Sequence, residues 1–143
     1  MLCGIPPILS PELLKVLCEM GHGDEIVIAD GNFPGASCAK NSILLRADGH
    51  GVPELLDAIL TLFPLDEYAP PVALMAKAPQ DEALEIPIWN EFRAIVDKYT
   101  TVPFEFMERH AFYERAKKAY AILMTGERAI YANIIIKKGV VKF

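Results

Sequence analysis

Ile26-Val27-Ile28-Ala29 is a short apolar run, rich in β-branched residues, with Asp24-Glu25 before it and Asp30-Gly31 after it. A run of this length and composition, closed by turn formers, reads as a buried strand. Just before it stands Glu19-Met20-Gly21-His22-Gly23, with a histidine between two glycines. Glycine reaches backbone angles that other residues avoid and gives the imidazole little cover. The strand therefore has a titratable ring at its entrance and a carboxylate, Asp30, at its exit, a pair suited to moving protons. Read without that chemistry, Gly21 is a helix C-cap and the next residues form a polar turn.

The elements on either side follow from start and stop signals. Ser10-Pro11-Glu12 opens a helix, carried by Leu13, Leu14, Leu17 and Met20 and stopped at Gly21. The loop Asp30–Gly35 is dense in turn formers. A second strand is predicted over Ser42–Arg46, and a helix from Pro53 through Leu55, Leu56, Ile59 and Leu62, ending before Pro64. Val72–Ala76 reads as a strand, and Ala78–Ile86 as an acidic loop. A third helix spans Ile88–Tyr99 with Trp89, Phe92, Ile95 and Val96 on one face. Phe104–Met107 follows as a strand and His110–Lys118 as a helix. The end reads as a hairpin, Tyr120–Met124 and Ile130–Lys137 about a turn at Thr125–Arg128. Helices alternating with apolar strands imply one α/β domain, residues 1–143, with a mixed sheet and a C-terminal hairpin.

Composition narrows the partners. The net charge is -5 and the basic residues form only short pairs such as Lys117-Lys118, which argues against a nucleic-acid surface. No apolar run approaches the ~18 residues of a membrane span. Three cysteines, Cys3, Cys18 and Cys38, without CxxC spacing or a secretory signal, point to free thiols in the cytoplasm. A mean hydropathy of +0.25 is high for a domain of this size, and subunit contacts are the usual cover for such surface. A homo-oligomer is expected.

Three groupings can carry chemistry. Tyr131 and Asn133, two apart in the predicted last strand, share a face on which phenol and amide can hydrogen-bond a polyol, unless Asn133 only edges the strand. Arg109 and His110 open a helix, where the guanidinium can grip vicinal hydroxyls or pair with Glu105 or Glu108. His22, Asp30, Asp48 and His50 are metal-ligand types, but their spacing fits no zinc or EF-hand signature, and no metal is expected. There is no Gly-rich phosphate motif, and Cys38 has no histidine beside it in sequence to make it a nucleophile.

Longer stretches carry a resemblance. They are Leu9-Ser10-Pro11-Glu12-Leu13-Leu14-Lys15, Met20-Gly21-His22-Gly23-Asp24-Glu25, Arg46-Ala47-Asp48-Gly49 and Ala69-Pro70-Pro71 in the first half. In the second half they are Ala111-Phe112-Tyr113-Glu114-Arg115-Ala116, Thr125-Gly126-Glu127-Arg128-Ala129, Tyr131-Ala132-Asn133 and Lys137-Lys138-Gly139-Val140. On these the chain resembles the ribose pyranase/fucose mutarotase family, nearest its fucose branch, from about Pro7 onward. The resemblance implies an α/β/α sandwich and a cofactor-free isomerase of monosaccharide anomers, with ring-based decamers among bacterial members. It also implies His22 as proton donor, with Asp30, Arg109, Tyr131, Ala132 and Asn133 binding the sugar. In that reading Asp30 holds a hydroxyl or orients the imidazole. Ala132 stands where the fucose branch usually has glycine and the ribose branch alanine, which keeps a D-ribose pyranase as the second reading. A non-catalytic sugar-binding protein and a metal enzyme using His22 and His50 are the readings from other classes.

His22 and Asp30 are eight residues apart with a strand between them. At about 3.3 Å per residue a straight chain separates them by roughly 26 Å, too far for one monosaccharide to touch both. Either the segment bends sharply at Gly23 and Gly31, or the strand is shorter than it reads, or the groups come from different chains. With the high hydropathy, a site shared between subunits is the expectation.

Overall fold

The computed structural model covers residues 1–143. Ser10 starts the first helix as its sequence suggests: its hydroxyl accepts from the Leu13 N–H at 3.1 Å, and Pro11 takes the first helical position. Along the chain run α1 (Pro11–Glu19), β1 (Glu25–Ala29), α2 (Gly35–Cys38), β2 (Ile43–Ala47) and α3 (Val52–Leu60). Then come β3 (Val72–Met75), a 3-10 turn at Pro79–Asp81, α4 (Ile88–Val96), β4 (Glu105–Met107), α5 (Arg109–Lys117), β5 (Ala121–Thr125) and β6 (Ile134–Lys137). The predicted third helix stops three residues early, its last turn loosening into N–H bonds from Tyr99 and Thr100 to the Val96 carbonyl.

The strands form one mixed six-stranded sheet in the order β2-β5-β1-β6-β3-β4. Burial on both faces explains the continuous apolar runs. Ile26, Ile28, Leu74, Leu123 and Ile134 point to a core closed by α1, α3 and α4. Their alternates Val27, Ala29, Ala73, Ile122 and Ile135 point to a second core under α2 and α5. This is the three-layer sandwich. Phe92 on one side and Phe112 on the other are wholly buried, so truncating either to alanine costs about 3–5 kcal/mol. A fork of Arg115 on Glu25, at 3.0 and 3.2 Å from Nε, ties α5 to the start of β1.

The C-terminal hairpin does not form. β5 pairs parallel with one edge of β1, and β6 pairs antiparallel with the other, so β1 lies between them. The eight residues Gly126–Asn133 are too many for a tight hairpin turn, and they cross the end of β1 instead. That crossing builds the site.

Candidate active site

β1, β2, β3, β4 and β5 all run the same way, and only β6 opposes them. Five strands thus end on one edge of the sheet, where open α/β sheets hold their ligands. The chain brings Asp30 there from the end of β1, Lys77–Asp81 from β3 and Arg109 from β4. Tyr131–Asn133 arrive there on the way into β6.

Asp30 is 4% exposed and stitched to the crossing segment. Its N–H donates to Asn133 Oδ1 at 2.8 Å, and its Oδ2 accepts from the Ala132 N–H at 3.3 Å. Its Oδ1 accepts from the Asn32 N–H at 3.0 Å. Thr125 Oγ1 donates to the Ala29 carbonyl at 2.8 Å, and the Gly31 N–H to the Glu127 carbonyl at 2.9 Å, closing the same seam. Burial pushes the Asp30 carboxyl above the usual carboxylate range, against the hydrogen bonds from Asn32, Ala132, Asn133 and Phe33. Each carboxylate oxygen keeps lone-pair capacity for a ligand hydroxyl. Ala132, by contrast, is fully buried, and its N–H holds Asp30.

Tyr131 is not in a strand. Its φ of 55° makes it the one non-glycine residue with left-handed backbone, a conformation costing about 1–2 kcal/mol. Trp89 Nε1–H holds its carbonyl at 2.8 Å, and the Ala78 N–H donates to its phenol oxygen at 3.0 Å. The phenol in turn donates to Asp81 Oδ2 at 2.6 Å, and that carboxylate raises its pKa. Tyr131 and Asn133 still face one cavity, because the loop bends back and not because a strand alternates. That cavity, of 260 Å³, is lined by Asp30, Asp81, Arg109, Tyr131 and Asn133 and by the apolar Phe33, Met75, Tyr113 and Ile130. A second cavity of 310 Å³ shares Asp81, Arg109 and Tyr131 and adds Lys77, Glu108 and His110.

Arg109 is exposed at the rim, in the first turn of α5. The carboxylates considered as its partners are engaged elsewhere. Glu105 lies 3.6 Å from Arg115, and Glu108 accepts from the Ala111 N–H at 2.9 Å as the helix cap.

His22 lies at the other end of β1, in neither cavity. Its Nε2 is 3.0 Å from Asp66 Oδ1, so Asp66 orients the imidazole and Asp30 does not. Burial drives the Asp66 carboxyl up, but the His22 hydrogen bond and the Tyr68 and Glu67 N–H groups outweigh it, leaving it below the usual range. The His22 side chain is 46% exposed, with the Tyr68 ring 5.3 Å away and itself 78% exposed. His50, considered with His22 as a metal ligand, pairs with Glu54 at 3.1 Å beyond the end of β2, on the opposite edge. Cys38 is buried in the second core, where burial pushes its thiol up.

Asp66 and Asp81, which hold His22 and Tyr131, are absent from the sequence reading. Each meets its partner from far along the chain, so no local spacing marks it.

The sequence model of the RbsD / FucU transport protein family matches residues 3–141. The chain is 51% identical over 142 residues to the fucose mutarotase of Danio rerio, covering 96% of this chain and 93% of that protein. It is 50% identical to the human fucose mutarotase, covering 96% and 92%. The crystal structure of a Streptococcus pneumoniae fucose mutarotase in complex with L-fucose superposes with a TM-score of 0.92 at 49% identity, covering 99% and 100% of the two chains. Bifidobacterium longum FucU superposes at 0.93 with 52% identity, covering 97% and 99%. Bacillus subtilis RbsD complexed with D-ribose, at 0.78 and 22% identity, shares the fold.

Proposed function

Since the chain belongs to the RbsD / FucU family, we propose that it is an isomerase interconverting the α and β anomers of L-fucose. The observation that carries this reading is the sugar-sized cavity at the strand ends. There a buried carboxylate, an amide, a phenol and a free guanidinium converge beside an apolar wall. Hydroxyls meet the polar groups, and Phe33, Met75, Tyr113 and Ile130 suit the apolar face and methyl group of a deoxy sugar.

Mutarotation opens a hemiacetal and closes it on the other face. A base takes the proton of the anomeric hydroxyl, the C1–O bond to the ring oxygen breaks, and an acid protonates that oxygen. Rotation about C1–C2 and the reverse steps give the other anomer. His22 is the proposed acid, an imidazole held in place by Asp66 whose N–H can donate to the ring oxygen. Asp30, Arg109, Tyr131 and Asn133 hold the sugar, and no cofactor or metal is called for.

β1 alone puts about 16 Å of strand between His22 and the cavity. We therefore assign the complete site to two subunits, His22 of one approaching the cavity of the next. The exposed Tyr68 beside His22 and Phe106, 51% exposed on the edge strand β4, supply apolar surface for such contacts. The protein is then a homo-oligomer, a ring-based decamer in the favoured form, and its three free thiols suit the cytoplasm. No helix is long and apolar enough to cross a membrane.

NMR exchange spectroscopy on L-fucose and D-ribose tests the reading. Catalytic amounts of protein should raise the α/β exchange rate of L-fucose well above the spontaneous rate, and that of ribose less. Faster exchange with ribose alone would mark a pyranase. Saturation transfer to the sugar without faster exchange would mark a binding protein.

A further inference from the structure

The Tyr131 phenol has one proton and two lone pairs. The proton goes to Asp81 Oδ2 at 2.6 Å, and one lone pair takes the Ala78 N–H at 3.0 Å. What remains toward the cavity is a single lone pair. A hydroxyl that meets this phenol must donate to it. Asp81 lines both cavities, and its Oδ1 takes no hydrogen bond from the protein. It too can only accept while ionised. Arg109, lining the same two cavities, can only donate.

We propose that Asp81 is a specificity-determining residue of this site: it takes the Tyr131 proton, so that the phenol oxygen and Asp81 Oδ1 face the sugar as paired acceptors. The pair demands a sugar hydroxyl that donates, beside the oxygens that accept from Arg109. Asp81 also comes from the turn Pro79–Asp81, so its bond to Tyr131 clasps that turn to the strained crossing segment. The inference rests on the proposed sugar chemistry of the cavity and adds which hydrogen-bond polarity the site reads.

Fluorine tests polarity directly, because a C–F group can accept weakly but never donate. Affinities of wild type for L-fucose and its 2-, 3- and 4-deoxy-fluoro analogues are measured by calorimetry, together with exchange rates by NMR. One analogue should bind wild type at least about tenfold more weakly than L-fucose, the loss of a hydrogen bond to a charged acceptor. In Asp81→Ala the phenol proton is freed to donate, so L-fucose should weaken by a similar factor and the fluorine penalty should fall within about threefold. Asp81→Asn keeps an acceptor for the phenol and presents an amide donor where Oδ1 stood. It should fold as wild type and show a smaller fluorine penalty than wild type, because the amide can donate where Oδ1 only accepted, which keeps the test valid if Asp81→Ala is unstable. Ultraviolet titration of Tyr131, taken as the difference from Tyr131→Phe, should shift downward in Asp81→Ala. Equal binding of all three analogues to wild type, or a penalty unchanged in both variants, would overturn the assignment. Binding with the fluorine penalty but without faster exchange would overturn the proposed reaction and leave the role of Asp81 standing. Faster exchange without the penalty would do the reverse.

Discussion

His22 is held through one ring nitrogen by Asp66, and its side chain is half-exposed. An imidazole this exposed contributes little packing. His22→Ala should therefore stay folded, losing only what buried Asp66 gains from the imidazole, while anomer exchange falls on the order of 10²–10⁴-fold; full activity in the variant would exclude His22 as the acid. The sign of the Asp66 contribution is also fixed. Its folded pKa lies below the unfolded one of about 3.9, so its stabilisation is present above that value and is lost as pH falls through the folded pKa. Denaturation of wild type and Asp66→Asn should show a stability gap at pH 7 that closes in strong acid. The residues legible in the sequence were those inside dense local motifs: His22 between glycines, Asp30 at a strand end, Arg109 opening a helix, and Tyr131 with Asn133. Asp66 and Asp81 were not legible, because they meet residues 44 and 50 positions away, and nothing in the local sequence says which carboxylate the fold brings to them.

Strand existence was readable from apolar runs; strand partnership was not. Tyr120–Met124 and Ile130–Lys137 carry the period of a hairpin, but register and neighbours are settled by which edge of β1 each can cover. The price of the different pairing is a segment that must pass closely over other loops. Gly126 shows how closely: a Cβ there would lie 2.0 Å from the Asp48 carbonyl oxygen, and its N–H already donates to the His50 carbonyl at 2.9 Å. Glu127 next to it caps α3 through the Val52 N–H at 3.1 Å. Gly126→Ala should lower stability by about 1–3 kcal/mol, as overpacking does, and weaken L-fucose binding by displacing Tyr131. Gly49→Ala, where a Cβ meets nothing within 4 Å, is the matched control and should change neither. Chemical denaturation and calorimetry on the two variants decide it.

Across the whole molecule, His22 and the cavity sit at opposite ends of the strands of one sheet, so the proposed reaction asks for two copies to make a complete site. Mixing His22→Ala with Asn133→Ala protein, each inactive alone, should restore activity once subunits exchange, since some interfaces then pair an intact His22 with an intact cavity. No recovery after verified exchange would place both groups in the same half-site. The strand order has a consequence of another kind. β6 comes last in the chain yet sits between the β2-β5-β1 group and the β3-β4 pair, and is the only link between them. Without residues 134–137 the strands fall into two partial sheets, each with a bare inner edge, and nothing else in the strand order joins them. Bare edges recruit strands from other chains. A chain whose residues 134–137 are not yet in place carries two bare inner edges that the finished sheet closes with one strand, however well its helices have formed.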